Sequence, residues 1–141
     1  MVKYKMTIMK KKPLFYGFKK GEKLFEKQGT YVLIGEGTDL GCNLVLQEDI
    51  PNPSILEMEI RGEIEKEAPW SRLRVEIFDR SNLEVAATSY EDEYLTLDLS
   101  PDHFKKHSFP ILGIVKYPHR IQFMVVGPAK SRLEIKNILL R

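Results

Sequence analysis

One cysteine in 141 residues leaves no internal disulfide, so packing and hydrogen bonding must hold whatever fold the chain adopts. A lone thiol suits a reducing compartment, and the default role of Cys42 is that of a small buried hydrophobe. Charge of one sign is also missing. The chain has 22 Lys and Arg against 20 Asp and Glu, for a formal net charge of +2. That balance argues against a phosphate-backbone binder, whose affinity comes from clustered cations. No apolar run approaches the ~18 residues of a membrane span. The opening from Met1 to Pro13 has neither an uninterrupted apolar stretch nor a small-residue cleavage site, and so does not read as a signal peptide. Nucleic acid and membrane are therefore not expected partners. Read as a whole product the chain is expected in the cytoplasm; read as a piece of a larger secreted protein, outside the cell.

What is present is a core's worth of apolar residues, 43% of the chain, with 30% charged, which is not the composition of disorder. One domain over residues 1–141 is expected, with 1–29 the least regular part. There Tyr4, Met6 and Ile8 alternate with polar residues as an opening strand would, and Lys10, Lys11 and Lys12 form a basic run read as a solvated edge.

The clearest pattern lies between Ser54 and Asp79. Leu56, Met58 and Ile60 alternate with Glu57, Glu59 and Arg61, and Leu73, Val75 and Ile77 alternate with Arg74 and Glu76. Period two with one apolar and one wet face means two half-buried strands, expected to be neighbours in an antiparallel sheet. Trp70, the one tryptophan, stands at the lip of the second strand beside Pro69. It reads as a cap on the core ahead of a platform for a ligand.

Further strands are expected at 30–34, 43–47, 83–88, 94–99, 111–116, 120–126 and 133–140, from β-branched and aromatic content bounded by turn residues. Asp49–Pro53 is a break, since proline cannot donate to a ladder. Gly127–Ser131 reads as a turn. Ser100, Pro101 and Asp102 look like a helix start, giving about two turns before Pro110. About nine short strands with one short helix predict an all-β fold, an antiparallel two-sheet jelly-roll sandwich. Its core is expected to hold Leu56, Met58, Ile60, Leu73, Val75, Ile77, Ile121, Phe123, Val125, Leu133 and Ile135.

Three patterns carry chemistry on paper. The glycines at 35, 37 and 41 suggest a phosphate loop, but the spacing is G-x-G-x-x-x-G and a strand follows where a helix N-terminus is required, so a hairpin loop is preferred. His103 and His107 lie four apart on the expected helix, as zinc ligands do. Yet no Glu follows the first, Lys105 and Lys106 lie between them, and two surface histidines are the better reading. Carboxylate pairs such as Glu57 with Glu59 or Asp92 with Glu93 would suit a glycosidase, but charge-rich strands produce them by chance. No enzyme, cofactor or metal is expected.

The stretches Ile55–Gly62, Leu73–Asp79, Ile121–Gly127 and Leu133–Leu140 resemble those of the galactose-binding-like β-sandwiches, and among them the carbohydrate-binding modules of bacterial glycoside hydrolases. In that family the final strand reads like Ile-Asp-Asn-Val; here the place is held by Ile135, Lys136, Asn137 and Ile138. Lys136 stands where the family often has an acid serving a structural calcium, which counts against a calcium site. The resemblance implies a non-catalytic module that binds an oligosaccharide or polysaccharide.

If the two alternating strands share a sheet with the last ones, Glu57, Glu59, Arg61, Arg74, Glu76, Gln122, Glu134 and Lys136 form one polar field. Planar polar side chains bind sugar hydroxyls and aromatic rings stack on sugar faces. The expected ligand-binding residues are accordingly Trp70, Tyr90, Tyr94, Tyr117, Arg61, Arg74, Glu76 and Gln122. Against this stands a bland reading, a solvated face whose charges pair across strands. The alternative function is an intracellular interaction module holding a protein partner or forming a homodimer, with outward-facing Met124 as its hint.

Overall fold

A computed structural model describes residues 11–17, 22–91 and 93–141, with the backbone alone at 93 and 94. The opening strand expected around Tyr4 to Ile8, and Lys10 of the basic run, lie outside the described residues. Lys12 of that run pairs with Glu26. In chain order the elements are β1 (Leu14–Gly17), β2 (Lys23–Lys27), β3 (Thr30–Val45), β4 (Ile55–Lys66), β5 (Arg72–Asp79), β6 (Thr88–Tyr90), α1 (Glu93–Leu97), β7 (Lys105–Pro110) and β8 (Pro118–Leu140). Every pairing between strands is antiparallel.

Two long strands carry the architecture. β3 and β8 pair along nearly their whole length, and both change sheets part-way. Their outer halves, with β2, β4 and β7, form sheet I in the order β2-β3-β8-β4-β7. Their other halves form sheet II in the order β1-β3-β8-β5-β6. The corner is a bulge between Thr38 and Leu40. Asp39 sits at φ 53° and Gly127 at φ 81°, and the Gly127 amide donates to the Asp39 carboxylate at 2.7 Å. Bulges bend and twist a strand without ending it, so one hairpin of two long strands closes a two-layer sandwich.

The core lies between the layers. All eleven residues expected there are at most 1% exposed. Cys42 is fully buried among them, and burial pushes its thiol pKa well up, so it acts as a hydrophobe.

Several local expectations are corrected. β4 and β5 are not neighbours; each pairs with β8, and they belong to opposite sheets. Residues 35–41 and 127–131 are not loops but the bend of β3 and β8, because their glycines and Asp39 serve a bulge rather than a reversal. The 83–88 segment is mostly loop: the Asn82 side-chain oxygen accepts the Glu84 and Val85 amides at 3.0 and 3.2 Å, a local turn that competes with the ladder. The 94–99 segment holds the helix α1 instead of a strand, and its Thr96 hydroxyl accepts the Leu73 amide at 2.9 Å at the start of β5.

The helix expected after Ser100 is a single capped turn. The Ser100 hydroxyl accepts the Asp102 and His103 amides at 3.3 and 3.2 Å, and the chain then enters β7. His103 and His107 therefore do not share a helix face. Residues 111–116 form a turn, and Pro118, expected in a connection, opens β8.

Candidate ligand-binding face

The expected polar field is split in two by the sheet change. Glu57, Glu59, Arg61, Glu134 and Lys136 lie outward on sheet I, while Arg74, Glu76 and Gln122 lie outward on sheet II, on the opposite side of the molecule.

The sheet I face is satisfied from within. Arg61 grips Glu134 with two bonds of 2.8 and 3.0 Å, and Arg132 reaches the same carboxylate at 3.7 Å. Arg141 and Lys106 both pair with Glu57, and Asn137 pairs with Glu59. Two rings lie on this face: Phe104 has the Arg61 guanidinium 4.3 Å and the Lys136 ammonium 3.9 Å from its centre, and Phe25, 39% exposed on the rung of Val32, Glu134 and Arg61, has the Lys23 ammonium 5.8 Å from its centre. Both rings already have cations of this chain over them.

Sheet II presents a different surface. One rung of paired residues crosses all its strands: Tyr16, Asn43, Gln122, Glu76 and Ser89. With adjacent strands about 4.8 Å apart, the rung spans roughly 19 Å. Gln122 donates to Glu76 at 3.3 Å. On the neighbouring rung Arg74 lies beside Met124. Glu91 gathers Arg74 at 2.5 Å and Arg72 at 3.2 Å on its two oxygens, and Arg74 leans back to Glu76 at 3.9 Å. The hydrogen bond from Arg74, then that from Arg72, outweigh burial and hold the Glu91 carboxyl below the usual range. The result is a chain of planar amide, carboxylate and guanidinium groups that fix one another's orientation. The side-chain oxygen of Asn43, only 4% exposed at the residue level, has no partner.

Trp70 stands beside Arg72 and Glu91 and is 56% exposed, so it does not cap the core. Its position is set by Gly127: a Cβ there would come within 2.5 Å of the indole and 2.9 Å of the Ser71 hydroxyl. Gly127→Ala is therefore expected to displace Trp70, and positive φ adds strain of about 1 kcal/mol. A shifted tryptophan emission maximum with modest loss of thermal stability is the expected result; an unchanged emission spectrum would contradict it. Tyr16, 45% exposed, flanks the other side of the row.

Of the eight residues expected to bind ligand, the structure brings together Trp70, Arg74, Glu76 and Gln122. Arg61 is on the far sheet. Tyr90 turns inward against Phe109 at 4.8 Å between ring centres, and burial pushes its hydroxyl pKa up to about 12. Tyr117 lies at the other end of the sandwich, near Arg80. The side chain of Tyr94 is outside the described residues, as are Asp92 and the side chain of Glu93 from one carboxylate pair. Sequence reasoning missed Tyr16, Asn43, Arg72 and Glu91. Their signal was pairing across distant strands, which period-two reading within one strand does not contain.

No protein-family model matches the chain, and no curated protein matches it. Solved structures do. A family 29 carbohydrate-binding module superposes with a TM-score of 0.61 at 18% identity, covering 91% of this chain and 77% of that one. A lysine-to-alanine variant made to probe ligand recognition in that family gives 0.63 at 17% identity, covering 92% and 81%. An aspartate-to-alanine variant complexed with mannohexaose gives 0.62 at 17% identity, covering 91% and 79%. The fold is a carbohydrate-binding-module-like β-sandwich. A further structure of this kind holds cellulohexaose, with a TM-score of 0.61 at 18% identity. The module-like chain thus has the fold class expected from its alternating strands.

Proposed function

We propose that this chain is a non-catalytic module that binds an oligosaccharide along the outer face of sheet II. The observation that carries this is the run of planar groups from Gln122 and Glu76 to the Arg74–Glu91–Arg72 cluster, flanked by exposed Tyr16 and exposed Trp70. It offers donors and acceptors already oriented, so little freedom is lost on binding, and two open rings for stacking. A rung of roughly 19 Å suits several linked sugars better than one. The fold neighbours crystallised with mannohexaose and cellulohexaose support the ligand class. Binding without chemistry fits the carboxylates: Glu57, Glu91, Glu134 and Asp79 all have pKa values lowered by their partners. A general acid needs the opposite shift.

Calorimetric titration with mannohexaose and with cellulohexaose tests the reading. Binding to at least one is expected, weakened roughly tenfold or more by Trp70→Ala and by Gln122→Ala and unchanged in Lys136→Ala on sheet I. Absence of binding to both hexaoses and to a broad glycan array would overturn it.

A further inference from the structure

The end of the sandwich opposite Trp70 is built from residues 80–87, between β5 and β6, and residues 111–117, between β7 and β8. The two loops are laced together. The Arg80 amide donates to the Tyr117 carbonyl at 3.0 Å, the Asp79 carboxylate accepts the Lys116 and Tyr117 amides at 3.0 and 2.8 Å, and Arg120 donates to the Leu83 carbonyl at 3.2 Å. So held, they expose Leu83, Val85, Leu112, Ile114 and Tyr117 by 46, 63, 57, 62 and 45%. Large apolar side chains exposed on two loops tied together in this way mark an interaction surface.

The loops differ in charge. Glu84 lies between Leu83 and Val85, and Lys116 lies between Val115 and Tyr117. Among the described residues neither forms an ion pair within the chain.

We propose that this end is the interface of a two-fold symmetric homodimer, with loop 80–87 of each copy lying on loop 111–117 of the other. A two-fold axis sets a patch against its own copy. An apolar loop with an acid beside an apolar loop with a base is then self-complementary: Glu84 meets Lys116 twice, and the aliphatic side chains meet between them. An anionic lipid surface fits less well, because Glu48, Asp49 and Glu84 share this end. Five exposed apolar side chains on two short loops are fewer than the roughly 20–30 residues a side of a standard stable interface. Association is accordingly weak, with dimer prominent near about 100 μM and monomer near about 1 μM. The arrangement leaves the sheet II faces and both Trp70 residues open.

Sedimentation velocity from low to high concentration tests this, with thermal melts confirming that each variant is folded. The native chain is expected to approach twice the monomer mass. Glu84→Lys and Lys116→Glu each weaken association roughly tenfold, the double swap restores it, and Ile114→Asp abolishes it. A chain monomeric throughout overturns the proposal. So does a dimer indifferent to Ile114→Asp and Glu84→Lys, or a double swap that does not recover. Co-sedimentation of a monomer with phosphatidylserine-containing vesicles would instead assign the surface to lipid. Oligosaccharide binding by a monomer leaves the binding reading intact while removing this one.

Discussion

Gly62→Ala is expected to destabilise the protein by about 3 kcal/mol or more, lowering the melting temperature by roughly 10 °C. Gly62 lies in β4 opposite Leu133 of β8, at the centre of sheet I. A Cβ there would run into the Arg132 carbonyl oxygen and stand 3.1 Å from the Leu133 Cα. Both atoms are backbone, so no rotamer change relieves the clash and β4 must move off β8. That movement would open the layer holding Ile60, Leu133 and Ile135, all at most 1% exposed. Thermal and chemical denaturation of native and variant protein measure the cost. A variant within 2 °C of the native midpoint, or about 0.5 kcal/mol, would show that the strands can separate freely at this rung.

Asp79→Asn is expected to cost about 2–4 kcal/mol at neutral pH. Asp79 is 5% exposed at the end of β5. Its carboxylate accepts the Ser81 hydroxyl at 2.5 Å and the amides of Ser81, Lys116 and Tyr117 at 3.2, 3.0 and 2.8 Å. Burial by itself would raise its pKa; the four hydrogen bonds outweigh that and lower it. A carboxyl whose folded pKa lies below its unfolded value, near 3.9, binds protons more readily when unfolded. Its stabilisation is therefore complete above about pH 4 and disappears as pH falls through the lower folded value. Stability curves of native and variant protein should run parallel above about pH 5 and converge in stronger acid. A gap that stays constant into strong acid would mean the residue acts by shape rather than charge.

The layers and the core were legible in the sequence because period-two alternation reports burial directly. Leu56 to Ile60 and Leu73 to Ile77 needed only local reading. Partnership was not legible. Whether Glu76 faces Glu57 or Gln122 depends on where β8 changes sheets, and that turns on Asp39 and Gly127, whose glycine-rich surroundings look alike in a bulge and a hairpin. Ser100 shows the same limit: its hydroxyl caps a turn as the sequence implies, but whether a helix or a strand follows is decided by β7 pairing along β4, with Phe109 beside Leu56 and His107 beside Met58. Half of the proposed face was therefore missed, since Tyr16, Asn43 and Arg72 become neighbours of Gln122 and Glu76 only through long-range pairing.

The shared strand β8 also governs when this protein can fold. It occupies a central position in both sheets, and Tyr31 must wait for Ile135, as Leu44 must for Ile121. A chain leaving the ribosome holds β3, β4 and β5 with no partner in common until residues 118–140 have been made. Neither layer can close before then, so the sandwich folds as a unit and slowly for its size, as expected when contacts are distant in sequence. Until that moment the apolar faces of β3, β4 and β5 are open to other chains, and the charged residues that alternate along them keep the waiting strands soluble.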